Sequence, residues 1–395
     1  MSGGYRMLLM PYGDRWRRIR KIMHQVLNTR QADKFKVYQD VQSRRVLRTY
    51  LRTPSKWYLA NQTFANSVIL SVVFGRESSV DDADMAELLA QSEAFLRNFK
   101  PGANIADAIP ALAYLPPFMQ WWRPKALALF ERSKACYKKE VDKLKKKIDE
   151  GTAEPCFAVD WFKAHENEKD RPADWDVESY FVFGTLMEAG SDTSRVAIGQ
   201  AVAAAAIYPE WVQKARAELD AVCGDAERLP SFEDRKDIPY LTAVVKETLR
   251  WRPFIQAGVN RVLIKDDEYK GYKFPKGTVF TWNPWGIALN PAEYDQPLDF
   301  IPDRFLNEDL DNPLKGHWSF GAGRRVCAGW NVGDTNVWIV VSRLIYCFDF
   351  SQVPGNPIDT MNTPWMKHDG PSFQVNIKPR SEKHAALIER ECPGN

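Results

Sequence analysis

The sequence predicts a mainly α protein with a smaller β portion, and three observations carry that reading. Most of residues 31–251 falls into long runs with helical spacing of apolar side chains. Residues 252–300 change character: 259–264, 269–274 and 278–282 are short β-branched and aromatic runs, with a turn at 266–267. Near the C terminus a β-hairpin is expected after a last long helix, with 370–380 as its final strand.

Composition bounds the partners. The chain has 395 residues, 45% hydrophobic and 12% aromatic, which is ample for a large core. A net charge of +3 from 54 basic and 51 acidic residues argues for no nucleic-acid partner. Six cysteines are scattered with no CxxC pair, as in a reducing compartment, and five scattered histidines offer no zinc-type cluster. No signal-peptide pattern is visible. No uncharged apolar run reaches the roughly 18 residues of a membrane span; 62–75 and 196–208 read as buried helix. There is no internal repeat.

In chain order, Pro11-Tyr12-Gly13-Asp14 turns into a helix starting near Arg15. Trp16 and Arg20, four apart, share one helix face, followed by His24. Residue chemistry alone reads them as a packed tryptophan beside a solvated arginine, within a charged face of Arg15, Arg17, Arg18 and Lys21. Helices follow at 31–51, 56–74 and 83–98. Segment 102–119 is an apolar, proline-broken connection carrying Ile105, Ile109, Tyr114, Phe118 and Met119, unusual on a soluble surface unless packed. A helix at 123–150 has a lysine-rich, solvated half, and 151–175 is a polar connection. The longest helix, 176–208, stops at Pro209. At its centre stands Glu188-Ala189-Gly190-Ser191-Asp192-Thr193-Ser194. Gly190 weakens the helix there and Thr193 can bond a carbonyl one turn back. Small residue, hydroxyl and acid together give room for a diatomic and a path for protons; a merely tolerated glycine is the commoner meaning. Helices at 209–224 and 239–251 come next, the latter with Glu247 and Arg250 three apart, an ordinary helix ion pair if exposed. The tail after Arg380 reads as solvated.

Between the β runs and the last helix lies Phe320-Gly321-Ala322-Gly323-Arg324-Arg325-Val326-Cys327-Ala328-Gly329. Its glycines permit tight turns and close approach of a flat ligand. Arg325 is placed for an anionic group, and a thiolate from Cys327 is a candidate axial ligand of haem iron. A lone cysteine is more often a small buried apolar residue, but the ten-residue pattern is far more specific. It resembles the haem-binding signature of the cytochrome P450 family, Phe-x-x-Gly-x-Arg-x-Cys-x-Gly, through Phe320, Gly323, Arg325, Cys327 and Gly329.

That resemblance covers nearly the whole chain, with five motifs in family order. It implies a cytochrome P450 fold lacking its N-terminal anchor, first helix and first strands. Residues 1–395 would form one N-terminally incomplete domain, less stable than a full-length relative, with 259–264 and 278–282 left as an exposed sheet edge. Cys327 would ligate the iron of haem b, held also by Trp16, Arg20, Arg261, Phe320 and Arg325; Asn260 stands where many relatives have a histidine. Asp192 and Thr193 would relay protons to dioxygen, and Gly190 would make room for it. Glu247, Arg250 and Arg304, the last within Pro302-Asp303-Arg304-Phe305, would form a buried structural lock. Phe183, Met187, Ala189, Phe254, Ile255 and Val259 would wall a pocket for a small apolar organic substrate.

The implied reaction inserts one oxygen atom of dioxygen into that substrate, with electrons from an NADPH-dependent flavoprotein reductase received on the cationic face around Arg15 and Lys21. The implied location is the cytoplasmic face of the endoplasmic reticulum membrane, touched by 102–119. Pro-Tyr-Gly-Asp-Arg-Trp, Glu-Ala-Gly-Ser-Asp-Thr and Lys-Gly-Tyr-Lys-Phe-Pro-Lys-Gly-Thr resemble filamentous-fungal members, which implies secondary metabolism. Two other functions stay open: a haem-thiolate isomerase or dehydratase that uses no dioxygen, against which Asp192-Thr193 argues, and a haem-free, non-catalytic fragment. Fold does not fix substrate.

Overall fold

The computed structural model describes all residues except 80–81, 100–102, 167–171, 368–369 and 393–395. In α1 (Asp14–Leu27) the buried residues Trp16, Ile19, Met23 and Leu27 recur every three or four positions and pin one face inward. α2 (Thr29–Arg52) leads to α3 (Trp57–Phe74), which is apolar all round and buried along almost its whole length. α4 (Ala83–Phe99), α5 (Ile105–Ala108), α6 (Arg123–Asp149) and α7 (Phe157–Ala164) precede α8 (Trp175–Ile207). At 33 residues α8 is about 50 Å long. It ends before Pro209, which opens α9 (Pro209–Cys223); α10 (Pro239–Trp251) also begins on a proline.

The β portion consists of short antiparallel pairs. β1 (Arg261–Val262) pairs with β4 (Val279–Phe280), Arg261 facing Phe280; β2 (Asp267–Tyr269) pairs with β3 (Tyr272–Phe274). α11 (Pro284–Ala288) and the cysteine loop lead into α12 (Trp330–Cys347). β5 (Phe348–Gln352) then pairs with β6 (Val375–Pro379), and α13 (Glu382–Glu391) closes the chain.

Two apolar cores result. One gathers α1, α4, α6, α7, the second half of α3 and the first half of α8; the other gathers α2, α9, α10, α12, α13, the first half of α3 and the second half of α8. Along α8 the first core stops at Met187 and the second starts at Val196. The intervening Glu188–Arg195 turns carry the motif singled out above, so that motif lies at the seam between the cores.

The chain is mainly α with a smaller β portion, and most helix bounds lie within a residue or two of expectation. Four readings need correction. The run 269–274 is not one strand: Lys270 and Gly271, both with positive φ (50° and 82°), turn the chain between β2 and β3, and Asp267 starts a strand rather than a turn. The polar connection 151–175 contains α7, whose Phe157, Ala158, Val159 and Trp161 are buried; its residues 167–171 lie outside those described. The final strands are not a tight hairpin but are joined by a long excursion from Val353 to Gln374. The tail is not solvated as a whole. Ser381 caps α13 by accepting from the His384 N–H, and His384, Leu387 and Ile388 at helical spacing are buried; residues 393–395 are not described.

β1 and β4 pair only with each other among the described residues, and Val262 and Val279 are exposed.

Candidate functional site

The cysteine loop is shaped by its glycines. Gly321 and Gly323 have φ of 69° and 61°, the left-handed region that other residues rarely adopt. A 3-10 turn at Gly323–Arg325 then lets the Cys327 N–H donate to the Phe320 carbonyl at 2.8 Å, closing the loop just ahead of α12. Phe320 packs half-buried near the His317 ring. Cys327 differs from the other five cysteines, which are buried: its surface is accessible. Protein nevertheless crowds around it, and burial pushes its thiol pKa up, against the Gly329 N–H and the Arg20 charge. An accessible group with interior surroundings is the floor of a cavity rather than an outer surface.

Three arginines converge on this floor. Arg20 Nη2 donates to the Val326 carbonyl at 2.6 Å, Arg325 Nη2 to Met10 at 3.0 Å and Arg261 Nη1 to Leu8 at 3.2 Å. Burial lowers the pKa of each, that of Arg325 to about 10, with Arg261 and Arg20 repelling it. None is paired with a carboxylate among the described residues. Arg261 Nε and the indole N–H of Trp282 are buried without any partner, and the Trp282 ring lies 3.7 Å from where a Cβ on Gly321 would stand. Half-buried cations beside buried, unpartnered donors, with no anion among the described residues, are costly unless a ligand supplies one. A flat group bearing carboxylates, as haem does, fits this donor set. Trp16 is buried and stacks under the Arg325 guanidinium at 4.1 Å, so its contribution runs through Arg325.

On α8, Ala189 is exposed and Thr193 half-buried, although most of the helix is buried. Thr193 Oγ1 donates to the Ala189 carbonyl at 2.9 Å, one turn back within the continuous helix. The Ser194–Asn336 hydrogen bond (3.1 Å) fixes this edge against α12. Asp192 lies on another side of the helix, buried against Arg195 at 3.0 Å. A Cβ on Gly190 would stand 2.8 Å from Ile69 of α3, so the missing side chain serves close helix packing there.

Of the expected pocket wall, Ala189 and Ile255 are exposed, Phe254 is half-buried and Val259 is buried. Phe183 and Met187 are corrections. Both are fully buried on the far side of α8, Phe183 among the rings of Phe74, Phe157, Trp161 and Phe162. The lock assembles. Glu247 holds Arg250 at 2.6 and 2.8 Å and Arg304 at 3.3 Å, while Arg250 also donates to the carbonyls of Ala288, Pro297 and Asp299. The cationic face of α1 is partly spent. Arg15 and Arg18 pair with Glu178, and Arg17 pairs with Asp14. Sequence reasoning missed Trp282, read only as a strand end, and Arg6, whose partners Glu188, Tyr137 and Ser133 come from distant helices. No local signal announces either. A separate cavity of about 180 Å³, lined by Met1, Asn98, Asn104, Trp122, Lys125 and Leu129 among others, shares no residue with the cysteine loop.

Comparison with known proteins converges on one family. The sequence model of the family described as Cytochrome P450 matches residues 1–376. The chain is 30% identical to "Cytochrome P450 monooxygenase fogE" of Aspergillus ruber over 99% of this chain and 74% of that protein. It is 32% identical to "Cytochrome P450 monooxygenase verL" of Clonostachys rogersoniana over 98% and 74%. Among solved structures, a zebra fish cytochrome P450 with abiraterone superposes with a TM-score of 0.73 at 22% identity, covering 96% of this chain and 85% of that one, a likeness of fold.

Proposed function

The chain belongs to the cytochrome P450 family, and on that premise we propose that this monooxygenase inserts one atom of dioxygen into a small apolar substrate on haem b held by Cys327. The observation that carries the reading is the accessible Cys327 ringed by Arg20, Arg261, Arg325 and Trp282, all donors without an anion. Held through a thiolate, haem supplies the O–O cleavage that oxygen insertion requires. Arg20, Arg261 and Arg325 would hold its carboxylates by charge-assisted hydrogen bonds. Thr193 places a hydroxyl oxygen on the accessible edge of α8, its proton resting on the Ala189 carbonyl until the hydroxyl turns, while Asp192, ion-paired with Arg195, fixes that edge. Glu247, Arg250 and Arg304 lock the segment that leads to the cysteine loop.

Electrons come from an NADPH-dependent flavoprotein reductase, and the pathway is fungal secondary metabolism, a reading supported by the fungal monooxygenases the chain resembles. Lys21 and Arg324 keep the exposed side of the cysteine loop cationic for an acidic partner. The setting is the cytoplasmic face of the endoplasmic reticulum. No helix among the described residues is long and apolar enough to cross a membrane; instead the rim formed by Tyr114 (90% exposed), Phe118 (87%) and Trp121 rests against the bilayer.

The test is the absorption spectrum of the purified chain, reduced and exposed to carbon monoxide. A strongly red-shifted main band, lost in Cys327→Ala, is the expected result; an unshifted band in the unaltered chain refutes thiolate ligation. Thr193→Ala should keep the band while diverting reducing equivalents to peroxide. Unchanged coupling of electron consumption to product would remove Thr193 from the proton path.

A further inference from the structure

The buried cluster around Arg6 is used by none of these assignments. Arg6, 3% exposed, reaches from the N-terminal segment to Glu188 of α8, to Tyr137 Oη at 2.9 Å and to Ser133 Oγ at 3.2 Å on α6. Tyr137 also donates to Glu188, and Gln91 of α4 donates to Ser133 Oγ. Ser133 spends its own proton on the Leu129 carbonyl, so the Gln91 amide must turn its nitrogen toward Ser133 and its oxygen away. The charges of Arg6 and Glu188 cancel.

Three polar atoms of this region have no partner: Arg6 Nε, a donor; Gln91 Oε1, an acceptor; and Thr185 Oγ1, which can be either. Buried orphans are rare, and three together call for something that fills them. The cluster also reaches the least enclosed turns of α8, where Thr185 and Glu188 are half-buried beside the exposed Ala189. Thr185 and the exposed Ala189 stand four apart on one helix face, with Thr193 four further on.

We propose that the Arg6, Gln91 and Thr185 cluster is a polar subsite of the substrate pocket, built to hold a hydroxyl group on an otherwise apolar substrate. This rests on the monooxygenase reading above. A hydroxyl accepts from Arg6 Nε and Thr185 Oγ1 on its two lone pairs and donates its proton to Gln91 Oε1. A carbonyl would leave Gln91 orphaned, and a carboxylate would face Glu188, which already neutralises Arg6. Phe95, with its ring 3.9 Å from the Arg6 guanidinium, and Phe181 supply the apolar surround. Eight residues of helix separate Thr185 from Thr193, about 12 Å, so the oxidised carbon lies far from the anchored hydroxyl.

The experiment titrates the haem-loaded full chain with 1-dodecanol, dodecanoate and dodecane and reads the shift of the haem absorption band. Dodecanol should bind about tenfold more tightly than either of the others, one well-made buried hydrogen bond. Thr185→Val and Gln91→Leu should each weaken dodecanol several-fold and leave dodecane unchanged. Thr185→Val should also keep or raise the melting temperature of the ligand-free protein, because its hydroxyl is unpaired there. Equal affinities, dodecanoate binding tightest, no response to dodecanol, or a Thr185→Val protein that melts lower with dodecanol affinity intact would each overturn the subsite. A chain lacking the haem band before any ligand is added overturns the functional reading instead, and this one with it.

Discussion

His317 illustrates how a single buried group sets a pH limit. It sits three residues before Phe320, buried, with its Nε2 unpartnered. Burial, reinforced by the Lys246 ammonium, pushes its pKa down to about 3. Lys246 is itself buried and held by the carbonyls of Asp309, Leu310 and Asn312. The unfolded chain takes up a proton near the ordinary histidine value of about 6.5, so between about 6.5 and about 3 it binds more protons than the folded chain. Stability therefore falls as pH falls through that window, by about 2 kcal/mol at pH 5. His317→Gln should lose this share of the acid sensitivity, seen as a smaller drop in the urea midpoint between pH 7 and pH 5. An unchanged drop would mean the histidine is not buried neutral. Nothing in the sequence marks His317, because its burial depends on α10 lying over the loop; Cys327 and Arg325, by contrast, are legible from their spacing to the glycines.

At the scale of elements, close packing of α3 on α8 explains Gly190. A methyl there would press on Ile69 at 2.8–3.0 Å. Gly190→Ala should destabilise the fold by about 1–3 kcal/mol, and adding Ile69→Ala should recover part of that loss in a double-mutant cycle. A Gly190→Ala protein of normal stability with altered oxygen chemistry would favour the original expectation of an oxygen pocket. Motif spacing could not separate these readings, since a missing side chain looks the same whether it admits a ligand or a neighbouring helix. Helices that begin on prolines, such as α6 near Arg123 and α10 at Pro239, were legible to within a residue. The β2–β3 hairpin was not, because Lys270 takes a left-handed conformation that lysine seldom signals.

For the whole molecule, α8 joins two cores, and α13 seals the second. Leu387 and Ile388 are fully buried there, and Arg44 and Arg48 of α2 tie down Glu391 and the Cys392 carbonyl. Leu387→Ala should cost about 2–5 kcal/mol, measured as a lower chemical-unfolding midpoint; a change within error would return the tail to the solvated role first expected of it. Because the motif of α8 lies where the cores meet, damage to either core should also loosen the site.

The sequence by itself determined the mainly helical class, the cysteine loop, the Glu247–Arg250 pair and the family, since each rests on local periodicity or on residues a few positions apart; Arg304, from a distant segment, is expected only through the resemblance and joins the pair in the fold. Only the tertiary structure decided which side chains face the cavity. It sent Phe183 and Met187 to the core, gave Gly190 to Ile69, drew Asp192 to Arg195, and gathered Arg6, Gln91 and Thr185. The reason is geometric: a helix presents every residue to some neighbour, and which neighbour is protein and which is open space follows from how distant segments pack.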